Sequence, residues 1–478
     1  MPKYVIFNTI NSDGVGDFTH FEDIIKMLLA NPKFKHVEFI SIVCFEATGL
    51  ESNYVRIGER LRALGIRFFY GKNDDHARLS SDFVMQKLLN EVEQVILISY
   101  DSIFELYEPY VKQGIPIKYI GDHEGAQDLT SFICTMFNKG RDMTNYKQRN
   151  LGLSRKCHGI KIQQGSHLSV DEAWGAIEKS DPAFSTQLLA CTHSSDFKTF
   201  SDNYILIPAY FNITSDFFSF LYLFGINDSF VGKDIIIYHS GRSLDGYTES
   251  ETWNAFISNM FKDTVVRQIE MINPGNYSAI IAYANQVGLK TIKILSGFNL
   301  SDSSFNAMYQ LAKIAGVSGD NTLERCISMN VLPYYWSTNA FLKIPTLSAL
   351  QQITQLPELN FSQEVKDSYN IFFDPYLRLS FHSNMIDSNN STKSNKYKLL
   401  NFQKMIEEWP KITSYLKQNK NFYNNLENII LESISIKSLS APIPRAESRH
   451  GSNGLFNPLK PSIEEIIDDS LDISMAPR

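Results

Sequence analysis

Short apolar runs alternate with amphipathic stretches through the first 125 residues. The runs at 4–8, 37–44, 66–70, 94–99 and 117–120 predict strands, and 20–29, 54–64, 83–91 and 103–112 predict helices. In 20–29, Phe21, Ile24, Ile25, Leu28 and Leu29 fall on one side at helical spacing. Strands separated by helices imply βαβ units, a parallel sheet and helices on both faces. The middle is less regular. A helix is expected to start at 168–177, where Ser169 and Glu172 fit a capping box.

A second α/β pattern follows. Strands are expected at 204–208, 234–238, 291–295 and 331–336, and helices at 217–223, 253–261, 277–287 and 303–315. Leu323, Cys326 and Ile327 predict one further short helix, closed by Asn330. The pattern changes near 345. Residues 346–437 read as mainly helical, with an exposed polar loop at 382–396 and an interruption at Pro410. From 438 the chain is Pro/Ser/Arg-rich and then acidic, the composition of a mobile tail. No internal repeat is visible. The predicted fold class is α/β: two doubly wound, Rossmann-like domains facing a cleft, plus a C-terminal helical region.

The chain has 478 residues, enough for two or three domains, and 43% are hydrophobic. Aromatics reach 13%, with 33 Phe and 23 Tyr, enough for a large core and for stacking on planar ligands. A net charge of −7, from 45 Lys+Arg against 52 Asp+Glu, argues against a nucleic-acid partner. The five cysteines form no CxxC pair, and the odd number suits a reducing compartment. The opening apolar run is too short for a signal peptide, and no apolar run reaches the length of about 18 residues that a membrane span needs. Composition fits a bacterial cytoplasmic protein. The acidic run at 464–469 also resembles the tail signals of secreted bacterial effectors, which makes export by a dedicated secretion system the alternative.

Five polar turns follow predicted strands. The first, 8–20, carries Gly14 and Gly16 for close backbone approach, with Asp17 at the helix start as candidate general base and His20 as the alternative. Ordinary capping would also explain Asp17 and Thr19. The third glycine of a dinucleotide fingerprint is replaced by Thr19, and no P-loop lysine follows. The second turn brings Asp122, His123 and Glu124 to the same edge, as acceptor-orienting groups or as a solvated turn. The third is Ser240, Gly241 and Arg242, whose guanidinium either meets a diphosphate or is a surface charge. The fourth is Ser296, Gly297 and Phe298, the last stacking on a base or packing in the core. The fifth, Gly319, Asp320, Asn321 and Thr322, opens a helix. It can bind phosphate or sugar at the electropositive N-terminus, or simply cap the helix.

Over 298–336 the sequence resembles the GT-B glycosyltransferases. Gly319-Asp320-Asn321-Thr322-Leu323-Glu324 opens a helix there, and Leu332-Pro-Tyr-Tyr-Trp336 follows as a strand. That segment and the N-terminal Gly16-Asp17 turn are also similar to those of the bacterial protein-arginine rhamnosyltransferases, although Asn321 stands where those enzymes carry the second residue of an acidic pair. The resemblance implies an acceptor-side domain at 1–200, with Asp17 as base and His20 or Glu124 as alternates. A nucleotide-sugar domain is implied at 201–345, a helical region at 346–437 and a tail at 438–478. Ser240, Gly241, Arg242, Ser296, Gly297, Phe298, Gly319, Asp320, Asn321, Thr322 and Glu324 would bind the donor. The nucleotide sugar would be the co-substrate, with no cofactor and no metal, because helix dipole and N–H groups can stabilise a leaving diphosphate. The acceptor, a protein or a small molecule, is not specified. A scaffold that has lost catalysis and a nucleotide-sugar epimerase are the alternatives.

Overall fold

The computed structural model describes residues 3–10, 16–45, 51–72, 91–98, 114–121, 146–154, 157–163, 167–227, 233–240, 244, 251–274, 277–283, 290–337, 340–386 and 396–431. Met1–Ser433 forms one compact unit and Ile434–Arg478 a second, which lies outside the described residues.

The first sheet is built from β1 (Lys3–Ile10), β2 (Glu38–Phe45), β3 (Arg67–Lys72), β4 (Val92–Ile98), β5 (Ile117–Gly121) and β6 (Tyr146–Asn150). Its order is β3-β2-β1-β4-β5-β6, and every pair is parallel. Such a sheet is covered on both faces, which is why its inner strands carry apolar runs such as 4–7 and 95–98, whereas the last strand, β6, is Tyr-Lys-Gln-Arg-Asn. Helix α1 (Gly16–Ala30) follows β1, and α2 (Glu51–Ala63) follows β2. Helix α1 buries Phe18, Phe21, Ile24, Ile25 and Leu28. Leu29, expected on that face, is 43% exposed, because Phe18 extends the stripe in its place. Strand β6 had no counterpart in the sequence reading, and the helices expected at 83–91 and 103–112 lie outside the described residues.

Helices α3 (Val170–Ser180), α4 (Pro182–Cys191) and α5 (Phe197–Asn203) lead to the second sheet. The capping box of α3 forms as expected: Ser169 Oγ accepts from the Glu172 N–H, and Glu172 accepts from the Ser169 N–H. Trp174, Phe184 and Phe200 from these helices pack with Leu206, Ile236 and Tyr238 of the second sheet. The remaining elements of this half are β7 (Tyr204–Tyr210), α6 (Thr214–Ile226), β8 (Asp234–His239), α7 (Glu251–Phe261), β9 (Val266–Asn273), β10 (Tyr277–Tyr283), β11 (Lys290–Leu295), α8 (Asp302–Leu311), β12 (Ile314–Val317), α9 (Asp320–Ser328) and β13 (Leu332–Tyr335). The order is β10-β9-β11-β8-β7-β12-β13, parallel except for the β9/β10 pair.

Two expectations fail here. The helix expected at 277–287 is strand β10 over Tyr277–Tyr283. Ile280 and Ile281 suit either period, and β9, absent from the sequence reading, offers an edge to pair with after the Pro274-Gly275 turn signal. The helix expected at 303–315 ends at Leu311, because Ile314–Val317 is taken by the sheet as β12.

The C-terminal region adds α10 (Ala340–Thr354), α11 (Gln363–Phe372), α12 (Pro375–Ile386), α13 (Phe402–Asn419) and α14 (Phe422–Leu431). Pro410, expected to interrupt, lies inside α13, which buries Phe402, Met405, Trp409, Ile412 and Leu416. That packing outweighs the lost backbone bond of an interior proline. Helix α13 packs with the second core, whereas Phe422, Leu426, Ile429 and Ile430 of α14 belong to the core of the first sheet. The buried Lys118 of β5 donates its ammonium to the Ile429 carbonyl, and Asn31 donates to Glu427 at 3.1 Å.

The chain therefore crosses between the sheets twice, and the crossings are bonded to each other. Ile160 N–H donates to Lys420 O, and Phe422 N–H donates to Ile160 O, both at 2.9 Å. Asn421 Nδ2 donates to Ile162 O at 3.0 Å. Gly159 makes this approach possible: at φ +99, a Cβ there would lie 2.3 Å from Lys420 O.

Candidate functional site

In the second sheet the connections run one way from β7 to β8 and the other way to β12 and β13, so the strand order reverses between β7 and β12. Ligands of open α/β sheets bind beyond the carboxyl ends of strands at such a point. Register lines up the residues that end these strands: His239 opposite Ala209, Val317 opposite Tyr210, and Tyr335 opposite Val317. Ser240 N–H donates to Ala209 O at 2.9 Å, Ser318 N–H to Tyr210 O at 3.0 Å, and Trp336 N–H to Val317 O at 2.9 Å. Ser240, Ser318, Gly319 and Trp336 are thereby placed along one edge, with Ser296 and Gly297 following β11.

Helix α9 begins at this edge. Its N-cap is Gly319, which has no side chain to accept from the first N–H groups. The first helical bond, from Leu323 N–H to Gly319 O, is 3.0 Å. A helix N-terminus of this kind presents backbone donors to an anion. Capping by Asp320, Asn321 or Thr322 is not what is found. Asp320 turns instead to the Tyr335 hydroxyl and to Lys343 Nζ, 3.3 Å away. Lys343 comes from α10, is buried, and lies 4.6 Å from the centre of the Tyr335 ring. Gly316, on β12, is needed for packing, since a Cβ there would meet the Phe211 ring at 2.5 Å.

Asn321 Oδ1 accepts from Lys161 Nζ at 2.8 Å. Glu324 accepts the Lys161 N–H at 2.9 Å and lies 3.3 Å from its ammonium. Burial raises the Glu324 carboxyl to about 7 despite that ammonium. Of the expected donor group, Asp320, Asn321 and Glu324 are thus engaged by Lys343 and Lys161. Phe298 is half-buried and packs edge-on against Phe184, with ring centres 5.4 Å apart. Gly297 adopts φ +80, which favours glycine.

Behind the edge lies a buried polar group around His382, which was expected in an exposed loop at 382–396 and is instead buried in α12. Tyr334 OH and His382 Nε2 are 3.0 Å apart, and His382 Nδ1 is 3.4 Å from Asp216 Oδ1. Trp336 stacks on His382. Arg378 donates to Tyr335 O at 2.9 Å and lies over the Tyr334 ring. These bonds fix the end of β13. His239 is 3% exposed and packs against Phe217, and burial lowers its pKa to about 4, so it is neutral at pH 7.

On the first sheet, Gly16 and Asp17 open α1, and His20 is buried in that helix. The side chain of Asp17, and all of Gly14, Asp122, His123, Glu124, Gly241 and Arg242, lie outside the described residues. No helix of the described residues is long and apolar enough to cross a membrane.

Two doubly wound sheets in succession, followed by helices, are the α/β arrangement expected from the sequence. No family model and no curated protein matches the chain. Solved structures similar to it include the N-terminal domain of trehalose-6-phosphate phosphatase from Candida albicans, at 10% identity and TM-score 0.41 over 91% of this chain and 98% of that one. The calicheamicin glycosyltransferase CalG4 matches at 7% identity and TM-score 0.35 over 88% and 98%. A putative UDP-N-acetylglucosamine 2-epimerase from Listeria monocytogenes matches at 8% identity and TM-score 0.39 over 92% and 99%. Likeness this distant selects no reaction.

Proposed function

We propose that this chain transfers a sugar from a nucleotide-sugar donor to an acceptor nucleophile, with the donor diphosphate at the N-terminus of α9. The observation that carries the reading is the Gly319 N-cap, without a capping side chain, at the strand-order reversal of the second sheet. Backbone N–H groups of the first turn stabilise the leaving diphosphate, and the hydroxyls of Ser240, Ser296 and Ser318 are the nearby polar groups on the same edge. Lys343, paired with Asp320, is a cation beside this turn among the described residues, and Arg242 is a further phosphate partner in this reading. Asp17 takes the proton of the acceptor, which attacks the anomeric carbon from the face opposite the diphosphate and inverts it. Closure of the two sheets on each other excludes water and limits donor hydrolysis. No metal is required.

Thermal shifts against nucleoside diphosphates and their sugars, with and without magnesium, test the binding step. A selective, magnesium-independent shift with one nucleotide and its sugar is expected, and absence of any shift refutes the donor site. Mass analysis of products then separates the reactions: sugar on an acceptor supports transfer, an isomerised donor means epimerase, and binding without turnover means scaffold. Asp17→Asn is expected to abolish transfer while leaving the nucleotide shift intact. Full activity in that variant moves the base to His20 or Glu124.

A further inference from the structure

Lys161 lies in the segment that leads from the first sheet to the second, between the buried Ile160 and Ile162. Its side chain is 3% exposed. The ammonium has three donors, and three acceptors surround it: Asn321 Oδ1 at 2.8 Å, Glu324 Oε2 at 3.3 Å and Asp23 Oδ2 at 3.4 Å. The first two belong to α9 and the third to α1. The backbone N–H of Lys161 adds a second hold on Glu324, at 2.9 Å.

The helix that follows β1 and the helix that follows β12 are therefore joined through one buried cation. Neither helix can move from the other without leaving a donor or a carboxylate with a poorer partner in a desolvated place. Asn321 fits this arrangement. It offers Oδ1 to the ammonium without placing another acidic group beside Asp23 and Glu324. The neighbouring crossing is braced by the bonds of Ile160 to Lys420 and Phe422, so Lys161 stands on a fixed support.

We propose that Lys161 is a positioning residue that couples the first turns of α9 to α1, so that occupancy of the α9 N-terminus and the placement of α1 depend on each other. The proposal rests on the glycosyltransferase reading only for the identity of the occupant. If α9 holds the donor and α1 carries Asp17, Lys161 sets the base against the donor without touching either. Coupling of this kind is reciprocal.

Amide hydrogen exchange on the full chain tests it in two arms. Without ligand, Asp23→Asn, a substitution on α1, is expected to speed exchange of the Leu323 to Ile327 amides of α9 by about fivefold or more. In a Lys161→Met background the same substitution has no further effect. A merely structural lysine would change overall protection but leave the response of α9 to Asp23→Asn in place. Asp23→Asn alone decides the matter if Lys161→Met does not fold: unchanged α9 exchange overturns the coupling. In the second arm, uridine diphosphate is the probe. It is expected to slow exchange in both α9 and α1 of the unsubstituted chain, and in α9 only of Asp23→Asn. Protection of α1 that survives Asp23→Asn overturns the proposal. If uridine diphosphate slows neither helix, it is not the occupant of α9, the donor reading passes to the nucleotide panel, and the ligand-free arm decides the coupling.

Discussion

Replacing Glu324 by Gln should change how stability depends on pH. Burial raises the Glu324 carboxyl from its ordinary 4.5 to about 7, with the Lys161 ammonium opposing the rise and Asp320 adding to it. Tyr423 lies within electrostatic reach of both Glu324 and Asp23. Between pH 4.5 and about 7 the folded chain holds a proton that the unfolded chain has released. Stability from this group is fully present below 4.5, is lost as pH rises to about 7, and is level above that. At about 1.4 kcal/mol per pH unit, the loss across the window is about 3 kcal/mol. Gln keeps an acceptor for the Lys161 N–H and removes the titration. Urea denaturation of both proteins, from about pH 4 to about pH 8.5, reads the difference in unfolding free energy. That difference should move in favour of Glu324→Gln by about 3 kcal/mol between the acid and neutral ends, whatever its offset. A difference flat to within about 1 kcal/mol would refute the buried, proton-holding carboxylate.

Two further substitutions probe the double crossing between the sheets. Gly159→Ala places a Cβ 2.3 Å from Lys420 O at φ +99 and should cost about 2 kcal/mol or more by urea midpoint; a loss below about 0.5 kcal/mol would contradict the approach of the two segments. Ile430→Ala removes a fully buried side chain from the first core and should cost about 2–5 kcal/mol, with faster amide exchange in β5 and α1. Unchanged exchange there would mean that α14 does not pack with that sheet.

Much of the fold was legible in sequence because parallel strands are buried on both faces. The stretches 95–98 of β4 and 235–238 of β8 are continuous buried runs, and β11 buries Ile292, Ile294 and Leu295. Local chemistry was legible for the same reason that it is local. Ser169 and Glu172 satisfy each other within three residues, and Asn330 ends α9 in the left-handed conformation that asparagine tolerates. The Gly319 turn was visible as a strand–turn–helix junction, and Gly319 is the N-cap of α9.

Tertiary structure decided what depends on distant partners. Ile280 and Ile281 suit a helix or a strand, and only the free edge of β9 made the segment a strand. The spacing of Phe422, Leu426, Ile429 and Ile430 announces an apolar face but not which core receives it; the first sheet does, 300 residues earlier in the chain on the scale of the Lys118 to Ile429 bond, |i−j| = 311. Asp320, Asn321 and Glu324 read as ligand groups, and only the structure shows their contacts with Lys343 and Lys161, which no spacing rule connects to them. The one local sign of Lys161 was a lysine between two isoleucines that pack in the core. Periodicity specifies which face of an element is buried, whereas the partner of a buried charge is set by the three-dimensional approach of chain segments, because a desolvated ammonium is tolerated only where acceptors converge from several of them.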